Sequence, residues 1–457
     1  MTVSVVLYTA DLRVHDHPPL RAALEGAHEV LPVFVRDPAV DRAGFAAPNR
    51  LAFLADCLVD LDRALRERGG RLVLRQGDTV AEVRALVRQA EADEVHMAGG
   101  ATAFARARQE RLRRALEEDG RRLYVHDGVV DVVAPGDVTP QGSDHFAVFT
   151  PYHRRWSGEP VRTPLRAPGA VRVPADVRSE PMPRRSSVAD VSPGLARGGE
   201  SEGRRRLASW LAGEGDSYEQ GQDDLAGDAT SRLSPHLHFG TVSAVEAVHR
   251  ARRRGGAGAE AFVRQLCWRD FHRQVLAARP AAATEDYRPR HDRWRRGPEA
   301  EADLAAWREG RTGYPVVDAA MRQLAHEGWM HNRGRLITAS FLVKTLYVDW
   351  REGARHFLDL LVDGDVANNQ LNWQWVAGTG TDTRPNRALN PLLQGKRYDP
   401  EGAYVRRWVP ELAGLGMPEL HEPWRVTGPG RTALNYPEPV IGLSEGLQRF
   451  RRGRGLV

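Results

Sequence analysis

Between Asp363 and Asp382 the chain reads DGDVANNQLNWQWVAGTGTD, and here the residue types best suited to chemistry lie closest together. Two carboxylates (Asp363, Asp365), two adjacent amides (Asn368, Asn369) and two tryptophans (Trp373, Trp375) fall within twenty residues. On a helix, side chains one residue apart project in different directions. Trp373 and Trp375 therefore face opposite ways, one inward and one outward. That geometry suits a wall between a buried redox group and an aromatic ligand, although a WxW pair taken alone also fits a core tryptophan beside a surface one.

The elements that must position these residues differ along the chain. Over residues 1–130, short apolar runs alternate with amphipathic stretches. VSVVLYT (3–9), EVLPVFV (29–35), GRLVLRQ (70–76), DEVHMAG (93–99) and RRLYVHD (121–127) read as strands. Residues 49–68, 79–91 and 103–118 carry helical spacing, with Leu51, Leu54, Leu58, Leu61 and Leu65 as one stripe. This alternation predicts an α/β domain with a doubly wound parallel sheet and a ligand crevice at its strand C-terminal edge. No GxGxxG or GxxxxGK[ST] motif is present, which argues against a conventional dinucleotide or NTP site there. Residues 131–200 are rich in Pro, Gly, Ser and Arg with little periodicity and read as an inter-domain linker, partly draped over the surface. From 201 to 457 the periodic stretches are helical (202–212, 241–254, 258–278, 299–309, 315–327, 331–346, 351–361), so the second domain is expected to be all-α. Nine of the eleven tryptophans lie at or beyond Trp268, concentrating the aromatic surface in this domain.

Composition bounds the rest. At 457 residues the chain can build two or three substantial cores. No apolar run is long enough to span a bilayer, and the N-terminal MTVSVVLYTADLR lacks a signal-peptide pattern, so a reducing, cytoplasmic setting is expected. Cys57 and Cys267 are too few for a disulfide framework or a four-cysteine metal or cluster site, and no metal is expected. The formal net charge of +5 fits a polyanionic partner only weakly. Lysine occurs only at Lys344 and Lys396, so where the arginines fall carries more information than their total.

Five blocks match a known pattern in order and spacing: TSRLSPHLHFG (230–240), RQLCWRDFHR (264–273), TGYPVVDAAMRQLAHEGWMHNRGRLITASFLVK (312–344), YVDWREG (347–353) and the DGD…WQW block, with weaker agreement in DLRVHD (11–16). Together they resemble the photolyase/cryptochrome family, most closely its class I cyclobutane pyrimidine dimer photolyases. The resemblance implies an α/β antenna domain, a long linker and a helical domain holding folded FAD. It also implies the function: a carbon–carbon lyase that splits cyclobutane dimers in UV-damaged DNA by light-driven electron transfer from excited FADH⁻. A cryptochrome-like blue-light receptor without efficient repair is the alternative. The resemblance further leads us to expect a monomer with no membrane partner.

By resemblance, Tyr218 and the loop Thr230, Ser231, Arg232, Leu233 and Ser234 hold the phosphate and ribityl groups, where hydroxyls and backbone N–H groups at a turn into a helix suit a pyrophosphate. Arg269, Arg335, Asp363 and Asp365 match flavin-pocket positions, and Asn369 falls where the family places a residue facing flavin N5. Trp373, Trp350 and Trp307 match the tryptophans that carry an electron from the surface to the photoexcited flavin. For the lesion, flipped out of the duplex, Trp268 and Trp375 would stack on or flank the pyrimidines and Asn332 would hydrogen-bond them. Arg333 and Arg387 would meet flanking phosphates, and Gln394 matches a DNA-facing position.

Two positions depart from the dimer photolyases. Gln265 stands where they carry a glutamate that bonds the dimer, and Leu336 where they carry a methionine. Glutamine keeps a donor and an acceptor but cannot ionise. Gln265 is shared with (6-4) photolyases, but those use histidines where this chain has Asn332 and Leu336. For the antenna, Tyr8-Thr9-Ala10 replaces the usual Trp-Phe-Arg, and the glutamate that holds a folate antenna in the family is replaced near Ala105. A deazaflavin in the sheet crevice, or no antenna, is therefore expected rather than folate.

Overall fold

The computed structural model describes residues 2–457. Its N-terminal part is a five-stranded, fully parallel sheet: β1 (Val3–Tyr8), β2 (Glu29–Arg36), β3 (Val73–Gln76), β4 (Glu94–Ala98) and β5 (Arg122–His126), in the order β3-β2-β1-β4-β5. All five sequence-expected strands form. β1 is central, its partners running from Val3↔Glu29 to Tyr8↔Phe34 on one side and from Ser4↔Glu94 to Leu7↔Met97 on the other. Every β1 residue is buried, because helices cover both faces of the sheet. Val6 and Tyr8 pack with helix α1 (Pro18–Gly26) and helix α2 (Pro48–Arg66). Val5 and Leu7 pack on the opposite face with α3 (Thr79–Gln89) and α4 (Ala103–Glu118). Asp78 and Thr102 cap α3 and α4 through the backbone N–H groups of Val80, Ala81 and Ala105, as short polar side chains do at helix starts.

The stretch 131–200 corrects the expectation of a simple connector. It contains a helix, Phe149–Gly158, whose Phe149, Tyr152 and Trp156 are buried in the helical domain's core. Further on, Val171, Met182 and Val191 pack against one face of the sheet domain. Backbone bonds from Val171 N to Arg68 O (2.8 Å) and from Glu180 N to Leu74 O (2.9 Å) stitch this segment down.

The helical domain has two apolar clusters, one around Trp307, Trp350 and Trp373, the other around Trp156, Trp210 and Phe271. Around them lie α5 (Gly256–Ala278), α6 (Pro315–Glu327), α7 (Asn332–Ser340), α8 (Trp350–Leu360) and α9 (Val366–Ala377). The expected helix 331–346 is α-helical only to Ser340, then widens into a π-helical stretch, Phe341–Leu346, ended by Tyr347 at φ 59°. α9 is the seam. Its Ala367 and Leu371 enter one cluster, while Trp373, Val376 and Ala377 enter the other. A helix buried on two sides has no single apolar stripe, which is why spacing did not reveal it. Among the described residues, no helix is long and apolar enough to cross a membrane.

Candidate cofactor cavity and nucleic-acid interface

α5, α7, α9 and the loop before Ser234 surround a cavity of about 540 Å³, within the range of small-molecule and cofactor sites. The WQW pair divides as its spacing requires: Trp373 is buried and Trp375 half-buried, and both line the cavity. Gly353 on α8 makes room for Trp373, since a Cβ there would lie 2.2 Å from the indole.

The inner wall is built of charge held in place by charge. Asp365 caps α9, accepting from Asn368 N at 2.9 Å, and its other oxygen lies 3.3 Å from Arg273. Burial opposes ionisation of Asp365, but Arg273 and Arg269 outweigh it and hold the carboxyl far below the usual carboxylate range. Arg269 is anchored to Val130 O (2.9 Å) and Leu237 O (3.2 Å), so the end of the sheet domain helps to fix it. Arg335 donates to Asp363 at 2.7 Å. Asn369 commits its amide hydrogens to Ala354 O (3.0 Å) and the Gln370 side chain (2.9 Å), leaving its carbonyl oxygen as the remaining polar group. Burial pulls His238 and His272, also in the lining, down to about 4, so both are neutral near pH 7.

Three lining residues carry buried polar atoms with no protein partner: Thr230 Oγ1, Asp363 Oδ1 and His272 Nδ1. Such atoms are costly to bury unless something else bonds them. A dinucleotide flavin, with ribityl and ribose hydroxyls, a pyrophosphate and a ring edge of donors and acceptors, satisfies that demand. The residues present therefore fit FAD. Tyr218, Ser231, Leu233 and Ser234 line the same wall. Arg232, at φ 48°, turns the chain there, while its guanidinium is tied back to Asp228 and Glu327 and lies 4.2 Å from the Trp329 ring.

At the rim the structure gathers Gln265, Trp268, Asn332, Arg333, Leu336 and Trp375 around one mouth. Trp268 stacks on Phe149 with ring centroids 3.6 Å apart and planes 3° apart. Phe149 gave no signal in the sequence because it lies in the stretch read as linker. Arg387 and Gln394 are outside the lining. Arg387 is exposed, with its guanidinium 5.1 Å from the Trp375 ring, and Gln394 has a buried Oε1 without a partner.

The expected tryptophan route needs one correction. Trp307 is 0% exposed and its ring lies 6.0 Å from that of Trp373, so it is an inner neighbour and not a surface terminus. Trp350 is also fully buried, its Nε1 donating to Asp286 at 2.8 Å. Trp294, which sequence reading passed over, is half-buried, packs against the same apolar cluster and lies 4.8 Å from the Tyr347 ring. Asp131, Arg273, His238, His272 and Trp329 were likewise not singled out. All but Asp131 stood inside the matched blocks, so the signal was present; Asp131 lay in the supposed linker.

A parallel α/β unit joined to a helical domain that encloses a charged cavity is the arrangement of a cofactor-binding protein of the flavin type. Residues 4–169 match the family model described as DNA photolyase, and residues 262–453 match the FAD binding domain of DNA photolyase. The chain belongs to the DNA photolyase family. It is 65% identical to a deoxyribodipyrimidine photo-lyase of Streptomyces griseus over 100% of both chains. Its fold is similar to a bacterial class III photolyase from Agrobacterium tumefaciens (TM-score 0.92, 32% identity, 100% and 98% of the chains covered). It is also similar to a Synechocystis cryptochrome (TM-score 0.92, 27% identity, 99% of each chain covered).

Proposed function

We propose that this protein is a light-driven deoxyribodipyrimidine photo-lyase acting on cyclobutane pyrimidine dimers in DNA. The observation that carries the proposal is the juxtaposition of a charged, partner-deficient inner wall with an aromatic, arginine-flanked mouth in one cavity. When bound, reduced and excited by blue or near-UV light, FAD supplies the electron that opens the dimer and takes it back afterwards. The chain's own residues do the holding. Tyr218 and the Thr230–Ser234 segment would take the phosphates and ribityl group. Arg269, Arg335, Asp363 and Asp365 would fix the charge pattern around the ring, and Asn369 would offer it a carbonyl oxygen. Trp268, backed by Phe149, and Trp375 would present aromatic faces to the two linked pyrimidines of an extruded dimer, each face contributing about 1–3 kcal/mol per base. Gln265, Asn332 and Leu336 would complete the pit, with Arg333, Arg387 and Gln394 toward the strand.

Gln265 and the likeness to a cryptochrome favour a receptor as the second reading. One experiment separates the two. Reduced holoprotein is illuminated with an oligonucleotide containing a single thymine dimer, and restored thymines are measured by their absorbance. Restoration supports the lyase, and flavin photochemistry without restoration supports the receptor. For an antenna, Tyr8 Oη and Arg108 Nε are buried without partners near Asp11, which supports a ligand in the sheet crevice. A deazaflavin absorbance band in the purified protein is the check.

A further inference from the structure

The rim is bridged by two consecutive residues that tie two of the DNA-facing side chains to the protein itself. Asp223 grips Arg333 with both oxygens, Nη2–Oδ2 at 2.7 Å and Nε–Oδ1 at 3.2 Å. Gln222 accepts a bond from Gln265 Nε2 at 3.2 Å. Both lie on the cavity lining. The segment is pinned on each side. Tyr218 is buried before it, and after it the buried Leu225 donates from its backbone to Tyr398 O at 3.1 Å. The Tyr398 ring is also the platform on which the Arg333 guanidinium rests, 4.4 Å away. Gln222–Asp223 thus spans a short, anchored loop, and moving one residue moves the other.

A carboxylate in bidentate contact with an arginine stands where a DNA phosphate would stand. The Asp223 side chain is 41% exposed, so its pair with Arg333 is weak enough for a strand to displace. We infer that Gln222–Asp223 is a specificity device: Asp223 withholds Arg333 from the DNA backbone until an extruded lesion, by taking Gln265, releases Gln222 and carries the carboxylate aside. An undamaged duplex never enters the pit. It leaves the Gln265–Gln222 bond in place and meets both an occupied arginine and a negative charge. The device thus lowers affinity for intact DNA more than for damaged DNA. This inference rests on the lyase reading of the same rim.

The test is dark equilibrium binding of flavin-loaded protein to a duplex with one thymine dimer and to its undamaged twin, across a salt series. For Asp223→Asn the intact duplex should bind about two- to five-fold tighter. Its logarithmic salt slope should steepen by about one, as one more phosphate is engaged. The dimer duplex should gain less, so the damaged-to-intact ratio falls. Asp223→Glu should keep the wild-type ratio, and Gln222→Ala should lower it without changing net charge. Equal gains on both duplexes, no change, or weaker binding of both by Asp223→Asn would overturn the inference, the last by making Asp223 a support for Arg333. A wild-type protein with no preference for the dimer would instead overturn the underlying reading.

Discussion

Burial decides which aromatic side chain can exchange an electron with solvent. Trp307 and Trp350 are sealed, whereas Trp294 reaches the surface beside Tyr347. Trp294→Phe should therefore slow photoreduction of oxidised flavin by external thiol far more than Trp307→Phe, measured as flavin bleaching under blue light. Equal slowing would return Trp307 to the route. Gln265→Glu should strengthen dimer binding or raise repair yield several-fold, because a carboxyl can accept two bonds or, protonated, donate one. Repair yield and dimer affinity at wild-type values in the variant would show that position 265 does not set efficiency. At this scale the sequence was most legible where chemistry sat in a compact block: the division of labour between Trp373 and Trp375 follows from their spacing. It was least legible for Phe149 and Trp294, whose partners lie far along the chain.

The helix α9 joins two cores, and its placement depends on a glycine on a neighbour. Gly353 on α8 leaves room for the Trp373 ring, so Gly353→Ala would force a Cβ into the indole. Overpacking of this kind costs about 1–3 kcal/mol. The expected outcome is a lower denaturation midpoint together with reduced flavin content, read by unfolding curves and by the absorbance ratio of flavin to protein. Retained flavin at full stability would mean that α8 yields without disturbing the wall. The strands of the first domain were legible as short, nearly continuous apolar runs, as in a sheet buried on both faces, and its long helices because each has one apolar stripe. α9, and the helix hidden in the supposed linker, were not. The first is apolar on two sides, and the second is ten residues long in a Pro- and Arg-rich setting. The change from α to π geometry after Ser340 leaves no mark in the spacing of apolar residues either.

Across the molecule, acid stability should be governed by neutral histidines. Burial pulls His236, His238, His272, His331 and His356 down to about 4, against about 6.5 for an exposed imidazole. Between those values the unfolded chain binds more protons than the folded one, so stability rises with pH across this window and falls as pH drops from 6.5 toward 4. Each such histidine adds a slope of about 1.4 kcal/mol per pH unit in mid-window. Asp365, held low by Arg273 and Arg269 against its burial, works in the same direction at more acid pH. Urea midpoints measured from pH 7 to 4.5 should fall steeply, and His272→Gln should make the fall shallower. An unchanged slope in that variant would remove His272 from the set.

Asp270 on α5 receives the backbone N–H groups of Val132 and Val133 and the indole N–H of Trp156, each at 3.0 Å, and burial with the nearby Asp131 raises its carboxyl to about 7. All three donors come from the region before residue 201. A helical half produced alone would strand that acid group without a single one of them, beside the wall meant to hold the flavin. A fragment beginning at residue 201 should therefore unfold at lower denaturant and hold less flavin than the full chain, because residues 132–156 supply every one of these donors.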